Sequence, residues 1–446
     1  MMDAKGRHYG MDWLRIGAFQ LLILYHVGMA FVPWDYQVKV VDPPLDWTTI
    51  PMLLTNPWRL GLLFAVSGYA SAALFGRRDG GVLAFLGSRM ARLGIPLLFG
   101  MAVIVTPQPW VWVVTHHHYQ HGFAHFLAHD YFRFQSIGDV AMPTWMHLWF
   151  VVYLLAYTLV LGAMLALPGT WRARAKQSVE GALASWALLP IGIAHVYLAR
   201  SFLSPGWEDN HALVADWSAH ATYLPMFLFG YLLRGSEPLR LAIAASWKLA
   251  GAAAFAAWLV LAGFELAYPG STPAPAELVP LHRVARATEC WGAIVGLMGL
   301  ADRHWKVDGR WRRLLAEAVF PFYFIHQTII IVVGYWLLST GTGPLERFAI
   351  LVAATAGGCW AFYLVGREVR WLRPLIGLKG IPASSPRLNG HDAAPEERIA
   401  CSKAGAVPSG SRSNFSLSGL SASRTDEKPA AEYVRCGRRH RRDEHG

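Results

Sequence analysis

Apolar runs of about twenty residues recur along the whole chain, separated by short polar stretches, and runs of that length are long enough to cross a bilayer as helices. Ten spans are predicted, at about 11–32, 58–76, 93–114, 145–167, 181–199, 218–233, 246–266, 286–301, 316–338 and 346–366. The sixth and eighth are the shortest. The pattern predicts an all-α fold, a polytopic membrane helix bundle of about ten transmembrane helices. Alternate connections differ in basic content, with fifteen Lys and Arg in one set and seven in the other. The richer set includes Arg77, Arg78, Arg89 and Arg92, and the positive-inside bias assigns it to the cytoplasm together with both termini. The first span is predicted to remain as a helix, because Asp12 and Arg15 interrupt its start and no small-residue cleavage site follows Phe31.

Residues 1–10 are thus expected to be a cytoplasmic N-terminal segment and 11–375 a transmembrane domain. From 376 to 446 the chain is rich in Ser, Gly, Pro and Arg, with too few apolar residues to bury, and is expected to be a disordered basic cytoplasmic tail. Its last basic run, Arg438, Arg439, Arg441 and Arg442, suits a solvated tail or contact with anionic lipid. No internal repeat of fixed period is visible.

Composition agrees with a bilayer setting: 54% of residues are hydrophobic and only 15% charged, with a mean hydropathy of +0.30. A soluble domain carries about 25% charged residues. Twenty Trp and sixteen Tyr suit the interface between hydrocarbon and headgroups. The net charge of +11 lies largely in loops and tail and follows no nucleic-acid-binding module, so no nucleic-acid partner is predicted. Cys290, Cys359, Cys401 and Cys436 show no paired spacing, which predicts neither a disulfide framework nor a cysteine metal site.

Ionisable residues inside the spans are the candidates for chemistry, because a charge in hydrocarbon is costly. Arg15 and His26 lie eleven residues apart in the first span, about 16 Å along a helix, which puts His26 near mid-membrane if Arg15 marks an interface. Asp12, one turn before Arg15, can pair with it. Ser88-Arg89-Met90-Ala91-Arg92 precedes the third span, and Arg89 and Arg92 share a helical face. Two guanidiniums there form a phosphate cradle or a pair of interfacial anchors. Arg286 and Glu289, at the start of the eighth span, suit a helix-end ion pair, with Glu289 alternatively in an acceptor site. His326 follows a helix-starting Phe320-Pro321 and either bonds within the bundle or lines a channel.

A run of histidines, His116, His117, His118, His121, His125 and His129, invites a zinc reading, since the last four would share one helical face. Apart from Asp130, no carboxylate or cysteine completes a signature. A polar, glycan-contacting or interfacial loop is preferred, and no metal site is predicted. Trp110, Trp112 and Tyr119 nearby suit sugar stacking or the interface belt.

Taken in order, Arg15 with His26, WRLGLLFAVSGYA at 58–70, the RMAR element, HLWFVVYLL at 147–155 and FPFYFIHQ at 320–327 resemble the acyltransferase-3 family of integral membrane O-acyltransferases. The opening DWLRIGAFQLLILYHVGMAFVPWDY and the late FPFYFIHQTIIIVVGYW are most similar to the glucans biosynthesis protein C group. The resemblance covers about residues 10–375; the His-rich loop and the long tail fall outside it.

It implies a multi-pass protein of the bacterial cytoplasmic (inner) membrane that moves an acyl group, succinyl or acetyl, from cytoplasmic acyl-CoA to hydroxyls of an extracytoplasmic glycan such as periplasmic glucan. Succinyl-CoA is the donor implied for the glucan group. Carried over by position, His26 would be catalytic and Arg15, Arg89 and Arg92 would bind acyl-CoA; from their own placement in the spans, Asp12, Glu289 and His326 are expected to support the site or line the acceptor site. A sugar hydroxyl is a poor nucleophile near neutral pH, and histidine is the natural base for it. Acyl-CoA is a donor substrate here, not a resident cofactor. A secondary transporter of a small polar solute or glycan also has about ten spans and Pro-broken helices, here at Pro96, Pro190, Pro225 and Pro321. The chain shows neither a matched pair of interrupted spans nor a repeated half.

Overall fold

A computed structural model describes residues 9–76, 80–203, 209–270 and 272–380. Residues 1–8, Arg77, Arg78, Cys401, Cys436 and the tail from 381 onward, with its final arginine run, lie outside the described residues. Helix α1 (Tyr9–Met29) is followed by a loop and the short α2 (Thr49–Leu53), then α3 (Arg59–Phe75). Helix α4 (Gly81–Phe99) continues as a π-helical turn at Gly100–Ile104 and is followed by α5 (Pro107–His116) and α6 (Phe123–His129). A two-stranded antiparallel hairpin, β1 (Ser136–Ile137) with β2 (Val140–Ala141), precedes α7 (Trp149–Ala166). Then come α8 (Gly169–Leu183), α9 (Leu188–Leu203), α10 (Trp217–Arg234), α11 (Glu237–Ala267), α12 (Val279–His304), α13 (Arg310–Leu337), α14 (Pro344–Glu368) and α15 (Leu372–Leu375).

Each predicted span overlaps one or more of these helices, giving an all-α bundle. Among the described residues, five stretches are long and apolar enough to cross a membrane on those grounds alone: Gly81–Ile104, Met146–Ala166, Glu237–Ala267, Arg310–Leu337 and Pro344–Glu368. A sixth is added if α8 and α9, bent by 103° at their break, form one span. The bend corrects the fifth predicted span, 181–199, which runs across the break. Similarly, the RMAR element lies within α4, not ahead of its helix, because Gly81-Val82-Leu83-Ala84-Phe85 already starts the α-helical turn. Pro321 does not start a helix either. Helix α13 begins eleven residues earlier at Arg310 and accommodates the proline in its interior.

Helices differ in how much surface they bury. Only 17% of the apolar window of α4, 28% of that of α11 and 22% of that of α14 is covered by protein, against 67% for α7 and 61% for α13. The first three therefore form the outer wall, while α1, α3, α10, α12 and α13 pack against one another inside it. Small residues set the closest approaches, as between membrane helices generally. A Cβ on Gly68 of α3 would lie 1.8 Å from the Phe227 carbonyl oxygen, and one on Gly230 of α10 would lie 1.8 Å from that of Ala65. The two backbones touch. Ile376 and Leu378, just beyond α15, are buried in the same core.

Adding a methyl at either glycine forces α3 and α10 apart. Gly68→Ala and Gly230→Ala are each expected to destabilise the protein by about 2 kcal/mol, read as a lower thermal midpoint in detergent. Gly17→Ala, where an added Cβ meets nothing within 4 Å, is expected to change stability by less than about 1 kcal/mol.

Candidate active site

Helices α1 and α13 run side by side, and polar groups join them at three levels. Asp12 accepts a hydrogen bond from Arg312 at 2.5 Å, Arg15 donates to the Ala316 carbonyl at 3.1 Å, and His26 Nδ1 meets His326 Nε2 at 3.2 Å. The offset between partners is 300, 301 and 300 residues, so the two helices are parallel and in register. Eleven residues turn an α-helix by only about 20° beyond three full turns, so Arg15 and His26 share the face of α1 that meets α13. Between the polar levels, Phe19 packs edge-on against Tyr323 with centroids 5.5 Å apart.

His26 lies in the last turn of α1 and faces the middle of α13. It thus sits near the C-terminal end of its own helix. Lys39 caps this end by donating to the carbonyls of Met29 at 2.9 Å, Val32 at 2.7 Å and Trp34. The Met29 carbonyl is one that the end of α1 leaves without a helical partner, and those of Val32 and Trp34 belong to the loop that follows.

Hydrogen bonds define the tautomers around His26. The Tyr323 carbonyl can only accept, so His326 Nδ1, 2.6 Å away, carries the proton. His326 Nε2 then accepts from the Nδ1–H of His26. What remains on His26 is the Nε2 lone pair, on a half-buried ring. His147 completes the group, with its ring centroid 5.4 Å from that of His326. Its Nε2–H donates to the Phe324 carbonyl at 3.3 Å, and its Nδ1 accepts from Gln108 at 3.0 Å. Gln108 also donates to Thr328 Oγ1 at 2.8 Å, which donates to the Ile104 carbonyl at 2.8 Å. The π-helical turn brings that carbonyl in, a frequent use of such turns. Gly100 permits it, since a Cβ there would lie 2.4 Å from Leu148 and 2.8 Å from Phe324.

A cationic cluster adjoins the histidines. Arg59, at the start of α3, stacks its guanidinium 3.3 Å from the centre of the Tyr25 ring and donates to the Asn56 carbonyl at 3.0 Å. Its Nε is buried without a hydrogen-bond partner. The Asn56 side chain donates to the Tyr25 hydroxyl at 2.6 Å and accepts from Arg286 at 3.0 Å. Arg59, His147 and His326 lie within electrostatic reach of the His26 ring. Arg200 pairs with Asp209 at 2.5 Å, which also accepts from Tyr223 at 2.6 Å.

The expected Arg286–Glu289 ion pair does not form. Arg286 turns to Asn56, while both Glu289 oxygens are buried without hydrogen-bond partners. Both residues lie inside α12, which begins at Val279, earlier than the predicted span. Asp12 is engaged by Arg312 from α13, a longer-range pairing than the one-turn contact with Arg15 that the sequence suggested. Arg312 also bonds Asp308 at 2.7 Å, and those bonds hold the Asp308 carboxyl below the usual carboxylate range.

Arg89 and Arg92 sit apart from this seam, on α4, which packs against α7. Arg92 is exposed, and Arg89 has two guanidinium nitrogens, Nε and Nη2, buried without hydrogen-bond partners. Gly100 meets Phe324, so Arg89 lies about 16 Å further along α4, near the axial level at which Arg15 meets α13.

The His-rich segment is not one helix. Helix α5 ends at His116, and His118 has a φ of 54° in the turn before α6. The His121 ring stacks on that of His125 with centroids 4.2 Å apart, and the His129 ring lies tilted 4.6 Å from that of His125. Among the described residues, no three His, Cys, Asp or Glu side chains are arranged to hold a metal ion. Trp112 donates to Asp139 at 2.9 Å and His117 bonds it at 2.7 Å, which holds the Asp139 carboxyl below its usual range. Tyr119 donates to Asp130. Cys290 and Cys359 are buried and free.

These features define a polytopic all-α membrane protein with a partly buried imidazole pair at its core. A family model described as an acyltransferase domain, Acyl_transf_3, matches residues 8–364, and the chain belongs to this acyltransferase-3 family of membrane acyltransferases. Comparison with curated proteins and with solved structures gives no match.

In the bridge between Asp12 and Arg312, the Arg312 side chain is only 1% exposed. Arg312→Ala removes a buried guanidinium together with its bonds to Asp12 and Asp308 and is expected to cost about 3 kcal/mol, measured by thermal unfolding. Arg313→Ala, whose side chain is 61% exposed, is expected to cost less than about 0.5 kcal/mol.

Proposed function

We propose that this chain is an O-acyltransferase of the bacterial cytoplasmic membrane that moves an acyl group from cytoplasmic acyl-CoA to a hydroxyl of an extracytoplasmic glycan. The observation that carries this reading is the His26–His326 pair, which leaves His26 Nε2 as a free acceptor about 16 Å along the bundle from the level of Arg15. The topology that goes with it has ten spans and both termini in the cytoplasm, as the loop charges favour. Arg15, Arg89 and Arg92 then lie at the cytoplasmic end, where guanidiniums suit the phosphates of a coenzyme A donor. The unpartnered Arg89 nitrogens support that role.

In the reaction, His26 Nε2 takes the proton of the acceptor hydroxyl while its oxygen attacks the thioester carbonyl. The carbon–sulfur bond breaks, and the thiolate leaves and collects the proton as free coenzyme A. His326 acts through His26 as a positioning residue. Arg59 and Arg286 beside the histidines suit an acyl group with its own carboxylate, which favours succinyl over acetyl and agrees with the glucans biosynthesis protein C group, whose acceptor is glucan.

Base assistance is worth about 10²- to 10⁴-fold. His26→Ala is expected to lower transfer of a labelled acyl group from CoA to membrane glycan by that factor at normal expression; unchanged transfer would remove His26 from the reaction. Arg89→Ala and Arg92→Ala are expected to raise KM for acyl-CoA with kcat little changed, as loss of uniform binding does. An effect confined to the acceptor's kinetics would place the donor elsewhere.

A further inference from the structure

A cavity separate from the histidines opens on the side of the bundle. It is a groove of about 640 Å³ between α1, α11 and α12, lined by Leu21, Trp58, Phe255, Ala293, Leu297 and Leu300. Helix α11 forms one wall, and it belongs to the lipid-facing group, so the groove faces the hydrocarbon. From Glu289 to Leu300 it follows α12 for about 16 Å. Such length and apolarity match one lipid chain lying along the helices.

Polar groups are confined to its ends. Lys248 stands exposed at one. At the other, Thr55 and Glu289 share the wall, and Glu289 is 1% exposed with both carboxyl oxygens buried and without hydrogen-bond partners. An unsatisfied buried carboxyl costs free energy, and a donor from a bound molecule would recover it. A phosphate at this point would face the carboxyl, oxygen to oxygen. A neutral hydroxyl would donate to it.

We propose that this groove binds one membrane lipid, its chain along α11 and α12 and a free, uncharged hydroxyl of its headgroup donating to Glu289. The lipid's polar end then lies one helical turn from Arg286, so the groove reaches the edge of the cationic cluster from the bilayer side. Binding needs no acyl transfer, so it stands or falls independently of the proposed reaction.

The test uses the full chain reconstituted in phosphatidylcholine vesicles that carry either a monoacylglycerol with a diazirine in its tail or a phosphatidylcholine with the same tail. After irradiation, labelled peptides are mapped by mass spectrometry. Monoacylglycerol is expected to label 251–255 and 293–297, and unlabelled monoacylglycerol to compete it away. Glu289→Leu is expected to reduce that labelling about fivefold, whereas Glu289→Gln, whose amide oxygen still accepts, is expected to retain it. Ala252→Trp fills the groove from an exposed position and is expected to block labelling without disturbing the core. Should Glu289→Leu fail to fold, the competition and Ala252→Trp measurements decide. Equal labelling by the phosphatidylcholine probe, no competition, or labelling indifferent to Glu289 and Ala252 would reduce the groove to a surface wetted by ordinary bilayer lipid and overturn the proposal.

Discussion

The parallel pairing of α1 with α13 is the constraint on which the rest of the structure depends. Two helices from opposite ends of the chain are held in register by an ion pair, a guanidinium on a carbonyl and an imidazole pair, all on one face of α1. Slippage by one residue would move that face by about 100° and break all three at once. Such contacts matter more in a bilayer than in water, where the apolar flanks of two helices would themselves favour association. The aromatic contact of Phe19 with Tyr323 fills the space between the polar levels. Everything else around the histidines serves to hold the two helix segments: Lys39 closes the end of α1, and the Gln108–Thr328 chain fixes His147 against α13.

The same division of labour explains how hydropathy is distributed. Helices α4, α11 and α14 face outward, bury little against protein and pass every test for an apolar span. Helices α1 and α12, which carry Asp12, Arg15, His26, Arg286 and Glu289, fall short of it, because groups that cost most in hydrocarbon are placed inside the bundle. Polar content therefore weakens the hydropathy signal along α1 and α12, whereas α13, which carries His326, keeps it. Bent and broken elements weaken it further, and the 103° angle between α8 and α9 leaves no trace in a running average.

Local spacing made some of the site legible and left the rest hidden. The eleven-residue interval from Arg15 to His26 marks one helical face, and the isolated His326 in an apolar run marks a second polar point. That the two histidines meet depends on packing between helices 300 residues apart. Arg312 lies ahead of the predicted span at 316–338, and its burial against Asp12 follows from α13 starting earlier, at Arg310. His147 and Arg59 stand inside the quoted motifs HLWF and WRLG, yet nothing in those motifs tells a buried hydrogen-bonding histidine or a stacked arginine from an interfacial one. Glu289 is the reverse case: its neighbour Arg286 suggested a pair by spacing alone, and Asn56, far away in sequence, takes the arginine instead.

Family membership defines an acyltransferase, and the imidazole pair is the feature on which the proposed reaction rests. Its decisive property is which nitrogen of His26 carries the proton. Nitrogen-15 NMR of the full chain labelled at histidine, with His26 assigned by comparison with His26→Gln, measures this directly at neutral pH. A neutral ring protonated at Nδ1, with an unprotonated Nε2 and a perturbation on His326→Ala, is the predicted result. A ring protonated at Nε2, or one indifferent to His326, would contradict the assignment of His26 as an oriented base.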